Sequence, residues 1–272
     1  MVIAVHHHPR RTRRRVLFSA DTTDARRIVL ARPEVHAFRH PAKPPKLLYN
    51  GGPLIEEVNI VSVYWGNQWN ADAKLSGHRI GMDQFFDFIV TSPLINQFKE
   101  YDAGGYVIDT GQHTGSVVIT SSTPGASVTD TAIQHMLQSW IQSEELPPFN
   151  GNTLYTIFTP SDTIVHMGGG ASCLSFCGYH DAIQGEIFYA VLPWPECSGC
   201  TSLGGNGDSF KALTVVASHE IAEAITDPIP GQGWYDSAYG EIGDICEGQG
   251  KIKQLGQYTV QLLWSNSQNS CV

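Results

Sequence analysis

The stretch from Val215 to Pro228 constrains the fold of this 272-residue chain more than any other part of it. Its apolar residues recur at helical rather than alternating spacing, at Val215, Val216, Ile221, Ala222 and Ile225. Pro228 disfavours a helical conformation for the residue before it, so we expect the helix to end near Asp227. The sequence therefore predicts one helix over this stretch.

The helix contains His219-Glu220-Ile221-Ala222-Glu223, which matches the pattern H-E-x-x-E. His219 and Glu223 are four residues apart, so both project from one face of the helix. In H-E-x-x-H enzymes, two side chains at this spacing bind zinc, and the glutamate between them takes a proton from the zinc-bound water. Zinc also accepts carboxylate oxygens, so a glutamate can replace the second histidine. We predict His219 and Glu223 as metal ligands and Glu220 as the general base.

The glutamate at position 223 leaves the identity of the metal open. A more anionic site lowers the Lewis acidity of zinc and suits harder cations such as calcium or manganese. We expect Zn²⁺, with Ca²⁺ as the alternative. A different interpretation needs no metal, because acidic residues four apart are common on the solvated face of a surface helix.

A zinc-binding helix of this kind needs a third protein ligand, which the chain after the helix usually supplies. Glu241 and Asp244 follow the Gly/Pro-rich segment 228–233 at suitable distances for that return. Asp227, at the end of the helix, is a further candidate. The alternative is that these acids cap turns or bind calcium in a loop. We predict that Asp244 or Glu241 completes the site.

Two other residues are candidates for stabilising an oxyanion, as donors aimed at developing charge do. His180 ends the glycine- and cysteine-rich segment 168–180 and is a candidate metal ligand as an alternative to this role. Tyr235 lies between the helix and the predicted third ligand. A lone histidine is more often structural. The glycines of this segment lack the Gly-Lys-Ser/Thr ending of a phosphate loop, and they favour a hinge or lid beside a cleft. No serine lies in a Gly-x-Ser-x-Gly pattern, which disfavours serine hydrolysis.

The six cysteines all lie in the second half of the chain. An even number favours disulfides formed in an oxidising compartment. We expect the pairs Cys173–Cys177, Cys197–Cys200 and Cys246–Cys271. A zinc site of the form Cys-x3-Cys…Cys-x2-Cys is the alternative, and the unequal spacings favour disulfides over it.

The distribution of charge divides the chain near residue 46. Residues 1–46 hold 11 of the 17 Lys and Arg residues and only three of the 26 Asp and Glu residues. This excess of basic residues predicts a disordered tail. The alternative is an arm that binds nucleic acid or an anionic membrane. The remainder is strongly acidic, so the folded part is a poor nucleic-acid binder.

The targeting signals in the sequence are weak. The segment 13–20 hints at a twin-arginine signal, but Asp21 and Asp24 interrupt the apolar region, so we expect no standard signal peptide. No stretch approaches 18 apolar residues, so we expect no transmembrane helix.

The remaining sequence mixes strands and helices. We predict strands at 58–65, 106–108, 116–119, 154–159, 187–192 and 258–263. We predict one helix at 82–90 and, after a break at Ser92-Pro93, a second helix that ends at Tyr101. A third helix is capped by Asp130 and ended by the prolines at 147–148, and the H-E-x-x-E helix begins near Ser209. This order predicts a single α+β domain over 47–272, with a zincin-like mixed sheet packed against helices.

Several stretches, taken in order, resemble a known family. They are Asn50-Gly51-Gly52-Pro53-Leu54, Val63-Tyr64-Trp65-Gly66, Phe176-Cys177-Gly178-Tyr179-His180, Cys197-Ser198-Gly199-Cys200, His219-Glu220-Ile221-Ala222-Glu223 and the segment 241–248. Together they are similar to the plant phosphate-induced or EXORDIUM-like secreted proteins and to related bacterial proteins. The resemblance implies an extracellular protein associated with cell walls and growth responses, with no settled enzymatic activity. Asp227 departs from the family's asparagine.

We therefore expect a zinc-dependent metallohydrolase of the peptidase type, secreted and acting on a peptide or cell-wall substrate. The alternative is a non-catalytic extracellular binding or signalling module with a structural metal. Three protein ligands plus a water favour the enzyme, whereas four or more protein ligands favour the module. A third hypothesis is carbohydrate binding through exposed Trp65, Trp69 and Trp234. The oligomeric state stays open.

Overall fold

The computed structural model describes residues 43–205, 207–248 and 250–272. Most of the predicted basic tail therefore lies outside the described residues. The helices are α1 (Gln68–Ala71), α2 (Ala73–Ile89), α3 (Pro93–Phe98), α4 (Asp130–Gln142), α5 (Ser198–Thr201) and α6 (Ser209–Thr226). Single turns of 3₁₀ helix lie at Lys99–Tyr101, Ser202–Gly204 and Asp244–Cys246. None of the helices in the described ranges is long and apolar enough to cross a membrane.

The strands form one central sheet and several small ones. They are β1 (Leu48–Tyr49), β2 (Glu57–Trp65), β3 (Asp109–Ile119), β4 (Ser127–Thr129), β5 (Thr153–Thr159), β6 (Ile164–Met167), β7 (Gly170–Ala171), β8 (Tyr179–Ile183), β9 (Ile187–Pro193), β10 (Trp234–Tyr235), β11 (Ile252–Leu255), β12 (Tyr258–Gln261), β13 (Trp264–Ser265) and β14 (Ser270–Cys271). The central sheet has the order β3-β2-β5-β9-β8. Its strands are parallel except for β8, which pairs antiparallel with β9 at one edge. This mixture of helices and sheets agrees with the predicted α+β class.

Helices cover both faces of the central sheet. Strands β5 and β9 are buried along their whole length, as expected for inner strands covered on two sides. Successive side chains of a strand point to opposite faces. In β9, Tyr189 and Val191 belong to the core formed with α4, whereas Phe188 and Ala190 belong to the larger core formed with α2, α3 and α6.

Helix α6 is buried in the larger core and positions the H-E-x-x-E residues. Asp208 caps its start, accepting hydrogen bonds from the backbone N–H groups of Phe210 and Lys211. The helix ends at Thr226, as Pro228 predicted, and every residue from 212 to 226 is buried. The interpretation as a solvated acidic face is therefore wrong.

The disulfides confirm one predicted pair and correct two. Cys246 is bonded to Cys271 as expected. The other pairs are Cys173–Cys197 and Cys177–Cys200. Each of these two disulfides joins the loop 173–177 to the segment 197–200, because α5 and the residue before it lie beside that loop. All six cysteines are consumed, so the alternative of a cysteine zinc site is also wrong.

Several element boundaries differ from the prediction. Helix α2 begins at Ala73, because the side chain of Asp72 accepts a hydrogen bond from the backbone N–H of Leu75. The predicted strand 106–108 lies before β3 and is not a strand, since Tyr106 forms an isolated bridge with Ala103. The predicted strand 116–119 is the end of the longer β3, which pairs with β2. Thr129 rather than Asp130 caps α4, which ends before the prolines. The glycines at 168–169 have positive φ and form the turn of the β6–β7 hairpin.

Candidate metal centre

Two groups of ligand-type side chains meet in the larger core and share one residue, Glu223. The first group is His219, Glu223 and Asp244, and the second is His180, Glu223 and Glu241. Within each group, one potential ligand atom of each residue lies within 4.8 Å of the others. The structure thus brings together all four predicted ligands with His180. The two candidates for the third ligand fall into different groups.

The first group joins helix α6 to the 3₁₀ turn at Asp244–Cys246. His219 Nε2 lies 3.0 Å from Glu223 Oε1, and the backbone N–H of Asp244 donates to the same oxygen at 3.1 Å. The approach depends on Gly243, since a Cβ at that position would lie 2.5 Å from His219 Nδ1. The disulfide Cys246–Cys271 anchors this turn to the C-terminal strand β14.

Gln261 orients the histidine of the first group. Its side-chain Oε1 lies 3.0 Å from His219 Nδ1, and its Nε2 donates to the carbonyl oxygen of Gly243 at 2.7 Å. The amide oxygen can only accept, so Nδ1 of His219 carries a proton, which leaves Nε2 as the nitrogen that can bind a metal. Ligand histidines in metal sites are held by such a second hydrogen bond. Sequence reasoning missed Gln261, which lies in the predicted last strand without any motif around it.

The second group lies between strand β8 and the segment before the 3₁₀ turn. His180 Nε2 lies 3.1 Å from Glu241 Oε1 and 3.7 Å from Glu223 Oε2. His180 is adjacent in sequence to Tyr179, and the two side chains point to opposite faces of the sheet because strand side chains alternate. This alternation directs His180 towards α6.

Glu220 is buried beside the two groups. Neither of its carboxylate oxygens has a hydrogen-bond partner among the described residues. Its Oε1 lies close to β8, since a Cβ at Gly178 would approach that oxygen to 2.8 Å. A carboxylate that is buried without a partner is costly, so its position needs an explanation beyond packing.

The electrostatics of the cluster are dominated by burial and by an excess of carboxyl groups. Burial raises the pKa of Glu220, Glu241 and Asp244 well above their ordinary values. Burial lowers the pKa of His180 to about 4. The cluster therefore has more carboxyl groups than basic groups, and both this excess and burial oppose ionisation of Glu220, Glu241 and Asp244.

The pair His219 and Glu223 behaves differently. Burial opposes ionisation of both, but the carboxylate of Glu223 raises the pKa of His219 and the imidazolium in turn lowers the pKa of Glu223. In the metal-free protein they form a buried ion pair at 3.0 Å. Metal binding would replace the proton shared by these groups with a cation.

The residues present fit a divalent cation. Imidazole nitrogens and carboxylate oxygens are ligands of zinc and manganese, and no free thiol remains to favour a softer ion. Several buried atoms of the cluster have no hydrogen-bond partner among the described residues, namely His180 Nδ1, Glu220 Oε1 and Oε2, Glu223 Oε2 and Glu241 Oε2. A cation would satisfy carboxylate oxygens that the protein leaves unpaired.

Two further predicted residues lie outside both groups. Asp227 accepts hydrogen bonds from the backbone N–H groups of Gly231, Gln232 and Gly233, so it fixes the turn after α6. Burial raises its pKa to about 6. Tyr235 lies in β10, paired with Leu48 of β1.

The tryptophans proposed to bind carbohydrate do not form an exposed platform. Trp65 and Trp69 are 4% and 1% exposed, respectively. Trp69 packs against Tyr64, Phe158 and Trp194. Trp234 is partly buried and packs against Tyr49 and Tyr101. The carbohydrate hypothesis is therefore wrong for Trp65 and Trp69, because both serve the core.

Comparisons of the chain with models of protein families, with curated proteins and with solved structures gave no match. The resemblance to the EXORDIUM-like family stays a prediction.

Proposed function

We propose that this protein is a metal-dependent hydrolase, with a zincin-like centre in which His219, Glu223 and Asp244 hold a zinc ion. The observation that carries the proposal is Glu220. A structural metal site needs only its ligands, yet here a further carboxylate is buried beside them with both oxygens unpartnered among the described residues. A general base needs a carboxylate oxygen that is free to accept a proton from a bound water, and Glu220 has such oxygens next to the predicted ligand His219.

The roles of the residues follow from their positions. A zinc ion held by the first group would polarise a substrate carbonyl and lower the pKa of a bound water to near neutrality. Glu220 accepts the proton lost by the attacking water and releases it to the leaving group. Burial raises the pKa of Glu220, and the positive charge of a bound zinc ion would lower it again and favour the carboxylate form that a base needs. Gln261 keeps His219 in the ligating tautomer.

A peptide is the substrate class that the sheet favours. Strand β8 carries His180 and forms an edge of the central sheet within the described residues. An edge strand can pair with an extended peptide through main-chain hydrogen bonds. A peptide bound along β8 would pass Gly178, which lies beside Glu220. The extracellular setting implied by the EXORDIUM-like resemblance is part of this proposal, and three disulfides are typical of an oxidising compartment.

The burial of the cluster favours a second candidate function. His180, His219, Glu223 and Glu241 are each at most 3% exposed. Closed metal sites with four or more protein ligands are typical of structural zinc. The second candidate is therefore an extracellular binding module whose metal stabilises the fold around α6.

Metal analysis and one substitution separate the two candidates. We expect elemental analysis to find bound zinc in the wild-type protein and less zinc in His219→Ala, which removes one ligand of the first group. We expect Glu220→Gln to keep the metal and to reduce peptide hydrolysis by a factor of about 10² to 10⁴, since it removes general-base catalysis. The assay is cleavage of a mixed peptide library, read by mass spectrometry.

The matched control is Glu57→Gln, which changes an exposed glutamate at the start of β2. It should retain full hydrolysis. Undiminished turnover in Glu220→Gln would remove Glu220 from the mechanism. Bound metal with no hydrolysis in the wild-type protein would favour the binding module, and absence of metal would overturn both candidates.

A further inference from the structure

The two oxygens of Glu223 face different partners. Oε1 lies 3.0 Å from Nε2 of His219, in the first group, whereas Oε2 lies 3.7 Å from Nε2 of His180, in the second. Oε2 has no hydrogen-bond partner among the described residues. A carboxylate that presents one oxygen to each of two ligand groups has the arrangement of a bridging ligand.

We propose that the centre holds two divalent cations bridged by Glu223. His219 and Asp244 complete the first position, and His180 and Glu241 complete the second. The inference rests on the proposed function for the first position and adds the second. Zinc or manganese is the class of ion that a mixed imidazole and carboxylate set takes.

Distance is the first argument for two positions rather than one. Ligands bound to one zinc ion at about 2.0–2.2 Å must lie within about 4.4 Å of each other. Even when ligand atoms are allowed to lie up to 4.8 Å apart, the residues of the cluster fall into two groups of three rather than one larger group, and Glu223 belongs to both. One ion in the first group would leave the imidazole of His180 facing Glu241.

Charge gives an independent argument. The two groups and Glu220 contain four carboxyl groups in one core, and only two histidines accompany them. One divalent ion would leave an excess of buried negative charge, which is costly unless it is paired. Two divalent ions would offset more of the negative charge of these carboxyl groups, and of the buried Asp227 beside Glu241, than one ion would. Oε2 of Glu241 also lacks a hydrogen-bond partner among the described residues.

A pair of ions has a specific chemical consequence. In two-metal hydrolytic sites, ions about 3.5–4 Å apart stabilise both the attacking and the leaving oxygen. In this arrangement His180 acts as a ligand. The second ion, rather than His180, would then stabilise the oxyanion, which differs from the role that the sequence suggested for His180.

Counting metal ions per chain tests the inference without any activity assay. The full-length protein is loaded with Zn²⁺, dialysed and measured by native mass spectrometry together with elemental analysis. We expect two zinc ions in the wild-type protein, one in His180→Ala, one in Asp244→Asn and none in Glu223→Ala. His113→Ala is the matched control, because it removes a largely buried histidine that lies on β3 outside the cluster, and it should keep two ions.

A second readout uses the wild-type protein alone, so that it does not depend on the folding of any variant. Loaded with Mn²⁺, the protein should give the electron paramagnetic resonance spectrum of a spin-coupled pair. One ion per wild-type chain, with the spectrum of isolated Mn²⁺, would overturn the two-ion centre and leave the proposed function standing. Absence of any bound ion would overturn both.

Discussion

Two buried polar clusters lie on opposite faces of the same sheet, and they differ in whether the protein satisfies them. On the α4 face, Asp130 Oδ1 accepts hydrogen bonds from the hydroxyl groups of Tyr179 and Tyr189 at 2.9 and 2.7 Å. Asp130 Oδ2 accepts from the side-chain amide of Gln134 at 2.8 Å. We call these four residues the Asp130 network.

The cluster around Glu223 on the other face has the opposite character. Five of its buried nitrogen and oxygen atoms have no hydrogen-bond partner among the described residues. Tyr179 and His180 are neighbours in β8, yet one belongs to the satisfied network and the other to the unsatisfied cluster. The comparison teaches that burial of ionisable groups is not in itself a sign of function. Buried polar atoms that the described residues leave unpaired need another partner, such as a water molecule or an ion.

The largest expected difference between the two clusters is their response to metal. Excess Zn²⁺ at about a thousand times its dissociation constant should raise the free energy of unfolding by about 4 kcal/mol, because the ion binds only the folded centre. The measurement is urea unfolding of the chelator-treated protein with and without added zinc.

His219→Ala should reduce this stabilisation, because it removes one ligand of the first group, and the chelator-treated variant should still unfold cooperatively. A stabilisation by zinc of similar size in His219→Ala would place the ion elsewhere and remove the contrast between the two faces.

The next largest effect concerns the Asp130 network. Asp130→Ala should lower the free energy of unfolding by about 3 kcal/mol, because two buried tyrosine hydroxyls lose their acceptor. The loss should be the same with zinc and with chelator, since the network lies across the sheet from the centre. Urea unfolding under both conditions measures it.

Asp130→Asn is the matched variant, because it keeps an oxygen in place for the hydroxyl groups, and it should lose less stability. A cost below about 1 kcal/mol for Asp130→Ala would show that the network contributes little. A cost that depends on zinc would mean that the two clusters are coupled.

The smallest expected effect concerns Gln261, which contacts a predicted ligand of the candidate metal centre but is not a ligand itself. Gln261→Leu removes the hydrogen bond to His219 Nδ1 without touching a ligand. Zinc affinity should fall by a factor of about 10 to 100, the usual range for loss of a group that orients a ligand. Competition titration with a chromogenic chelator gives the dissociation constant.

Gln254→Leu is the control for this substitution, since Gln254 lies on the neighbouring strand β11 and bonds Thr259. Its zinc affinity should equal that of the wild-type protein. Equal affinity in Gln261→Leu would show that packing alone holds His219 in place.

Local patterns predicted the parts of the fold that depend on nearby residues. Helical spacing and Pro228 predicted α6 and its end, and apolar runs predicted β2, β5 and β9. Helix α2 was predicted to begin too late, because its start depends on a cap that the apolar pattern does not contain. The first part of strand β3, before the predicted strand 116–119, was also missed. Its glycines at 111 and 115 suggested a turn, whereas pairing with β2 extends the chain through them.

The disulfides also show that local patterns in the sequence do not predict contacts between distant segments. Cys246–Cys271 was predicted, whereas the other two pairs were not. Which cysteines pair depends on the segments that lie side by side, and short spacing along the chain does not reveal that.

The sequence by itself determined that His219 and Glu223 share one face of a helix, because the periodicity of an α-helix fixes that relation. It also supplied Glu220, Glu241 and Asp244 as candidates. Only the tertiary structure decided that Asp244 meets His219, that Glu241 meets His180, and that Gln261 orients the first histidine. These contacts join residues 25 to 61 positions apart in the chain. They are set by the packing of β8, β12 and the 3₁₀ turn against α6, which local spacing does not encode.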